Sequence, residues 1–124
     1  MYLYYRKLLS FFAICAVLAI SYIYFKESVH LWFCENENNG ASCSIIGMIH
    51  EENKEYERAE KFLKKSCDLN YGIGCYRLSI FYNTNEALGK NEIQNKRKSK
   101  VILEKACQLE HEHSCLIIKN KQSK

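Results

Sequence analysis

The chain has 124 residues, seven of them cysteine and none proline, with 18 basic against 14 acidic side chains. The absence of proline and the presence of only five glycines argue against a strand-and-turn fold and for a largely helical one. A net charge of +4, with acidic residues scattered among the basic ones, excludes the strongly basic, aromatic-interleaved face of a nucleic-acid binder, and a hydrophobic fraction of 48% excludes general disorder.

A basic lead ending in Arg6 and Lys7 precedes 18 uncharged residues, Leu8 to Phe25, which Lys26 and Glu27 close. That length reaches the lower bound for a helix crossing a hydrocarbon core. A cleavable signal peptide has a shorter apolar run ending at a small-x-small site. Val17-Leu18-Ala19 would serve as such a site, but Ile20, Tyr22, Ile23, Tyr24 and Phe25 carry the apolar character past it. Residues 1–27 therefore read as a signal-anchor, with cleavage after Ala19 as the alternative. Cys15 follows Ile14, whereas a lipidated cysteine needs a small residue before it. Arg6 and Lys7 keep the N-terminus cytoplasmic. The rest is expected in the periplasm, anchored to the inner membrane through residues 8–25, or secreted if the segment is cleaved.

Residues 28–119 contain an internal repeat. Ala59-Glu-Lys-Phe-Leu-Lys-Lys-Ser-Cys67-Asp-Leu69 aligns without gaps with Ser99-Lys-Val-Ile-Leu-Glu-Lys-Ala-Cys107-Gln-Leu109. A second pattern follows each of these cysteines. Cys43-Ser-Ile-Ile-Gly47-Met-Ile-His50 matches Cys75-Tyr-Arg-Leu-Ser79-Ile-Phe-Tyr82, and Cys115-Leu-Ile-Ile118 begins it again before the polar tail at 120–124. Two alternating patterns mean a helix-turn-helix unit used more than once. Tyr56, Ala59, Phe62, Leu63, Ser66 and Cys67 form a helical stripe, with Glu57, Glu60, Lys61, Lys64 and Lys65 outside it. Cys75, Leu78, Ser79 and Tyr82 form the partner stripe, and the small residues Gly47 and Ser79 let two helix backbones come close.

The period is 32 residues from Cys43 to Cys75 and 40 from Cys75 to Cys115, within the range of helical solenoids. The longer unit carries a polar insertion at residues 83–95, read as an extended loop. About two full units with partial ones at each end lie near the minimum for stability, so something else must support the stack.

Six exported cysteines admit 15 pairings in principle. The repeat narrows them to Cys34–Cys43, Cys67–Cys75 and Cys107–Cys115, each spanning the turn between antiparallel helices. In the middle copy Tyr71-Gly72-Ile73-Gly74 is expected to make the turn, its glycines supplying positive φ. Residues 36–40 are expected to do so in the first. No Cys-x-x-Cys occurs, which argues against zinc or thioredoxin-like redox chemistry, and no metal or other cofactor is expected.

These residues resemble the Sel-one-like repeats, relatives of the tetratricopeptide repeats, and more narrowly the Helicobacter cysteine-rich protein family. The matches are Ala59 with Lys65-Ser66-Cys67-Asp68-Leu69-Asn70, then Gly72-x-Gly74-Cys75-x-x-Leu78, and Lys105-Ala106-Cys107-Gln108-Leu109 with Cys115. The resemblance spans roughly residues 33 to 118 and implies an all-α solenoid with one disulfide per repeat. It also implies penicillin binding or weak β-lactamase activity. The sequence departs from the pattern at Glu112-His113-Ser114, where the glycines are missing, and at Ser79.

No Ser-x-x-Lys, Ser-Asp-Asn or Lys-Thr-Gly supports serine β-lactamase chemistry. His111-Glu112-His113 falls in a turn, and His30 and His50 stand alone. The functional expectation is a module that binds a protein, peptide or cell-wall-type ligand, with Tyr71, Tyr76, Phe81 and Tyr82 as candidate aromatic contacts. The alternative is the β-lactamase that the resemblance implies.

Overall fold

A computed structural model describes residues 1–84 and 92–122. The described residues form six helices and no strand: α1 (Tyr2–Asn36), α2 (Gly40–Glu52), α3 (Tyr56–Asp68), α4 (Gly72–Thr84), α5 (Glu92–Gln108) and α6 (Glu112–Gln122). They form three consecutive antiparallel hairpins, α1–α2, α3–α4 and α5–α6, stacked into a short α/α solenoid. The apolar N-terminal segment and the first repeat helix are one unbroken helix. The bounds of the 83–95 insertion change accordingly. Asn83 and Thr84 finish α4 and residues 92–95 begin α5, because they continue the flanking helical patterns, while residues 85–91 lie outside the described part. The polar stretch at 120–122 is likewise helical.

All three expected disulfides are present, with Cα–Cα separations of 4.7 Å for Cys34–Cys43, 4.4 Å for Cys67–Cys75 and 4.8 Å for Cys107–Cys115. The turns beneath them are built differently from the expectation. Gly72 and Gly74 are helical, and the left-handed residue is Asn70, at φ 58°. Tyr71 N–H donates to Ser66 O (3.2 Å) and Asn70 N–H to Cys67 O (3.0 Å), the bond pair of a Schellman C-cap. The third hairpin repeats this with His111 N–H to Ala106 O and Glu110 N–H to Cys107 O, and Glu110 sits at φ 63°. In the first hairpin, one residue longer, Asn38 takes the positive φ and Asn39 caps α2 by accepting from Ser42 N–H at 2.9 Å.

Asn tolerates the left-handed region, whereas Glu is strained there. Glu110→Gly is therefore expected to stabilise the fold by about 1 kcal/mol, read as a higher urea midpoint.

The glycines serve close approach instead. A Cβ on Gly40 would lie 2.7 Å from Tyr71 Cβ, and one on Gly72 would lie 3.1 Å from Leu109 O. Each first-turn glycine thus admits the turn of the next hairpin. Gly47 does the same along the helices, where a Cβ would stand 2.7 Å from Leu63 Cγ. Side chains then tie each hairpin to the backbone of the one before it. Ser66 Oγ donates to Gly40 O (2.6 Å), Ser99 Oγ to Ser79 O (2.7 Å) and Lys105 Nζ to Cys67 O (3.0 Å).

The last hairpin breaks this pattern. Glu112 occupies the position of Gly40 and Gly72, and Lys119 that of Gly47 and Ser79. The outer face of α6 therefore presents charge where a further unit would need small residues, as a solenoid cap does.

The buried stripes follow the sequence pattern. Ala59, Leu63, Cys67, Cys75, Leu78, Phe81, Tyr82 and Ala106 form one core cluster, and Cys34, Cys43, Ile46 and Phe62 form a second. Two bridges thus belong to the core itself.

Candidate binding surface

Two features of the described surface bring chemistry together. The first is a groove of about 260 Å³ between α1 and α3, lined by Glu27, Leu31, Glu35, His50, Arg58, Lys61 and Phe62. Glu27, Leu31 and Glu35 are four residues apart in sequence and so share one face of α1. Arg58 and Lys61 project from α3 on the other wall, with the Lys61 ammonium 5.6 Å from the centre of the Phe62 ring. His50 rises from α2 beneath them. Its ring stacks on Phe62 at 5.5 Å, and its Nδ1 lies 2.8 Å from Glu55 Oε2, which also accepts from Arg58. An acidic wall thus faces a basic one across an apolar floor.

The second feature lies on the edge where the disulfide-bridged turns stack. Tyr76 packs face to face on His111, with ring centres 4.6 Å apart, and edge-on to His113 at 5.4 Å. Tyr71 is half-buried nearby, against Gly40. Of the four aromatic candidates, only Tyr71 and Tyr76 reach the surface. Phe81 is fully buried and Tyr82 is 6% exposed, because their places in the helical stripe turn them into the core. The Tyr82 hydroxyl bonds to the Glu60 carboxylate, and burial followed by that bond pushes the phenol well above its usual range.

Burial, reinforced by the neighbouring His113, holds the His111 imidazole below the usual histidine value. The unfolded chain takes up this proton more readily than the native one, so stability is lost as pH falls below about 6.5. The urea midpoint should drop between about pH 7.5 and about pH 5.5, and His111→Gln should flatten that dependence.

A serine–histidine hydrogen bond does occur, between His111 Nδ1 and Ser114 Oγ at 2.8 Å. Ser114 is fully buried at the start of α6, so its hydroxyl closes the turn and is out of reach of a substrate carbonyl. Among the described residues no group of three His, Cys, Asp or Glu side chains is placed to hold a metal ion.

No protein-family model matches the sequence, and no curated protein and no solved structure shows significant similarity to it. Fold and surface by themselves define the class. This is a short α/α repeat protein whose hairpins are each closed by a disulfide, preceded by an apolar helix long enough to cross a membrane. Sequence reasoning singled out aromatics and missed the α1–α3 groove. Its signal was the spacing of Glu27, Leu31 and Glu35, which straddles the boundary expected at residue 27 between anchor and repeat domain.

Proposed function

We propose that this protein is a membrane-anchored binding module, held outside the cytoplasm, that takes an extended peptide segment of a protein partner in the α1–α3 groove. The observation that carries this reading is the pairing of opposed charged walls over the Leu31–Phe62 floor. A backbone with one acidic and one basic side chain, flanking an apolar one, matches that pattern. The groove suits a few side chains better than a whole drug-sized ligand, whose pockets run from about 300 Å³ upward. The disulfides fit an oxidising compartment.

The test is a displayed peptide library selected against the oxidised chain. Enriched peptides should lose at least about tenfold in affinity against Arg58→Glu/Lys61→Glu, a change of about 1.4 kcal/mol. Peptides that bind the variant equally well would sink the groove as the site. The family resemblance also carries slow β-lactam hydrolysis as an alternative. Nitrocefin turnover that survives stringent purification and vanishes in a point variant would favour it over a binding role.

A further inference from the structure

The direction of the helices fixes which edge of the stack faces the membrane. The bridged turns lie on one edge, stacked by Gly40 against Tyr71 and Gly72 against Leu109 and His111. Helices α1, α3 and α5 therefore run toward that edge, and α2, α4 and α6 return from it. The anchor enters along α1 from the opposite side. The start of α5 and the end of α6 must then point back toward the bilayer.

Heights along the helices sharpen this. Phe25, the last residue of the apolar run, precedes Cys34 by nine residues, or about 13 Å of helix. Lys100 precedes Cys107 by seven residues, about 10 Å, and Lys96 by eleven, about 16 Å. Lys121 follows Cys115 by six residues, about 9 Å. With the helices taken as parallel, the backbone at all three lysines thus stands within a few ångströms of the level where the hydrocarbon ends, and their side chains reach the headgroup layer from there.

These lysines line a cleft of about 410 Å³ between α5, α6 and the end of α4, with Gln122 and one carboxylate, Glu104, beside them and Leu103 and Ile118 as its apolar part. Charge along this last hairpin is segregated. Toward the open end Lys96, Arg97, Lys98, Lys100, Lys119 and Lys121 stand against Glu92, which is paired with Lys96 at 2.6 Å. Glu104 stands one turn beyond Lys100 at the bridge end of the cleft, and past it Glu110 and Glu112 outnumber Lys105. The neighbouring α2–α3 turn, with Glu52, Lys54, Glu55, Glu57 and Arg58, has no such excess of positive charge.

We propose that the α5–α6 cleft binds the phosphate headgroup of an anionic phospholipid in the membrane that α1 crosses, with Lys100 and Lys121 contacting the phosphate. The apolar part of the cleft accommodates the glycerol and the first carbons of the acyl chains. The solenoid is thereby held at both ends, by the anchor at the first hairpin and by lipid at the last. Its α1–α3 groove is then kept in a fixed orientation above the surface.

The proposal rests on the anchored reading, and the experiment separates the two. The full chain is placed in lipid nanodiscs of phosphatidylcholine alone or mixed with phosphatidylglycerol, and amide hydrogen exchange is followed. Exchange in the first half of α5 and the second half of α6 should slow about tenfold in the anionic discs, while α3 is unchanged. Lys100→Gln/Lys121→Gln should return it to the phosphatidylcholine rate, and added salt should weaken the effect. Equal exchange in both discs, or protection retained in the variant, would overturn the lipid site and leave the anchor intact. Protection produced by inorganic phosphate in phosphatidylcholine discs would overturn a lipid source. Recovery from native envelopes of a chain lacking residues 1–19 would overturn anchor and lipid site together.

Discussion

Cys67→Ala/Cys75→Ala is expected to destabilise the fold by about 2.5 kcal/mol through loop-closure entropy alone, and by more once lost packing is counted. The bridge closes a nine-residue loop, and both sulfurs lie in the central core, at 3% and 0% exposure. The equivalent change at Cys107 and Cys115 opens a loop of the same length, but those cysteines are only half-buried, so the total loss should be smaller. Reducing all three bridges removes about 7 kcal/mol, as much as the whole stability of many small domains. Urea unfolding with and without reductant, followed by near-UV circular dichroism, reads the effect. A reduced chain that unfolds at the oxidised midpoint would show that stacking alone suffices.

The second large effect is expected at Gly74, which lies directly against Ser66. A Cβ there would overlap Ser66 Oγ and lie 2.7 Å from Ser66 Cβ. The hydroxyl cannot swing away without giving up its bond to the Gly40 carbonyl. Gly74→Ser should therefore cost about 2–3 kcal/mol. Ser66→Ala alone should cost about 1 kcal/mol by leaving that carbonyl without its donor. The double variant should be more stable than the sum of the two implies, with a coupling of about 1 kcal/mol or more. The chain already contains this combination, since the third hairpin has Ala106 and Ser114 at the two positions. Strict additivity in urea midpoints would show that Ser66 and Gly74 do not share one space.

The hairpin order and the buried stripes were legible because helical periodicity and the cysteine spacing repeat together. Ala59, Leu63 and Ser66 on one helix and Cys75, Leu78 and Tyr82 on the next point inward as their spacing requires. Turn chemistry was less legible. Glycine is the default left-handed residue, yet Asn70 and Glu110 take that conformation, and Gly72 and Gly74 are used for the space they leave. The site was hidden for a different reason. Phe81 and Tyr82 are aromatic but lie within the stripe, so composition pointed to a surface that packing had already used. The groove joins α1 to α3 across sequence, and the local spacing of Glu27, Leu31 and Glu35 marks only one of its two walls. The shared lysine of the repeat was visible as Lys65 and Lys105. Its role needed the structure, which carries Lys105 to the carbonyl of Cys67 in the hairpin before it.

The measurement that bears most directly on the stapled-hairpin architecture is peptide mapping of the oxidised chain without reduction. Three linkages are predicted, Cys34–Cys43, Cys67–Cys75 and Cys107–Cys115, with Cys15 as a free thiol. A Cys67–Cys107 peptide, or free thiols at any of the six paired positions, would contradict it.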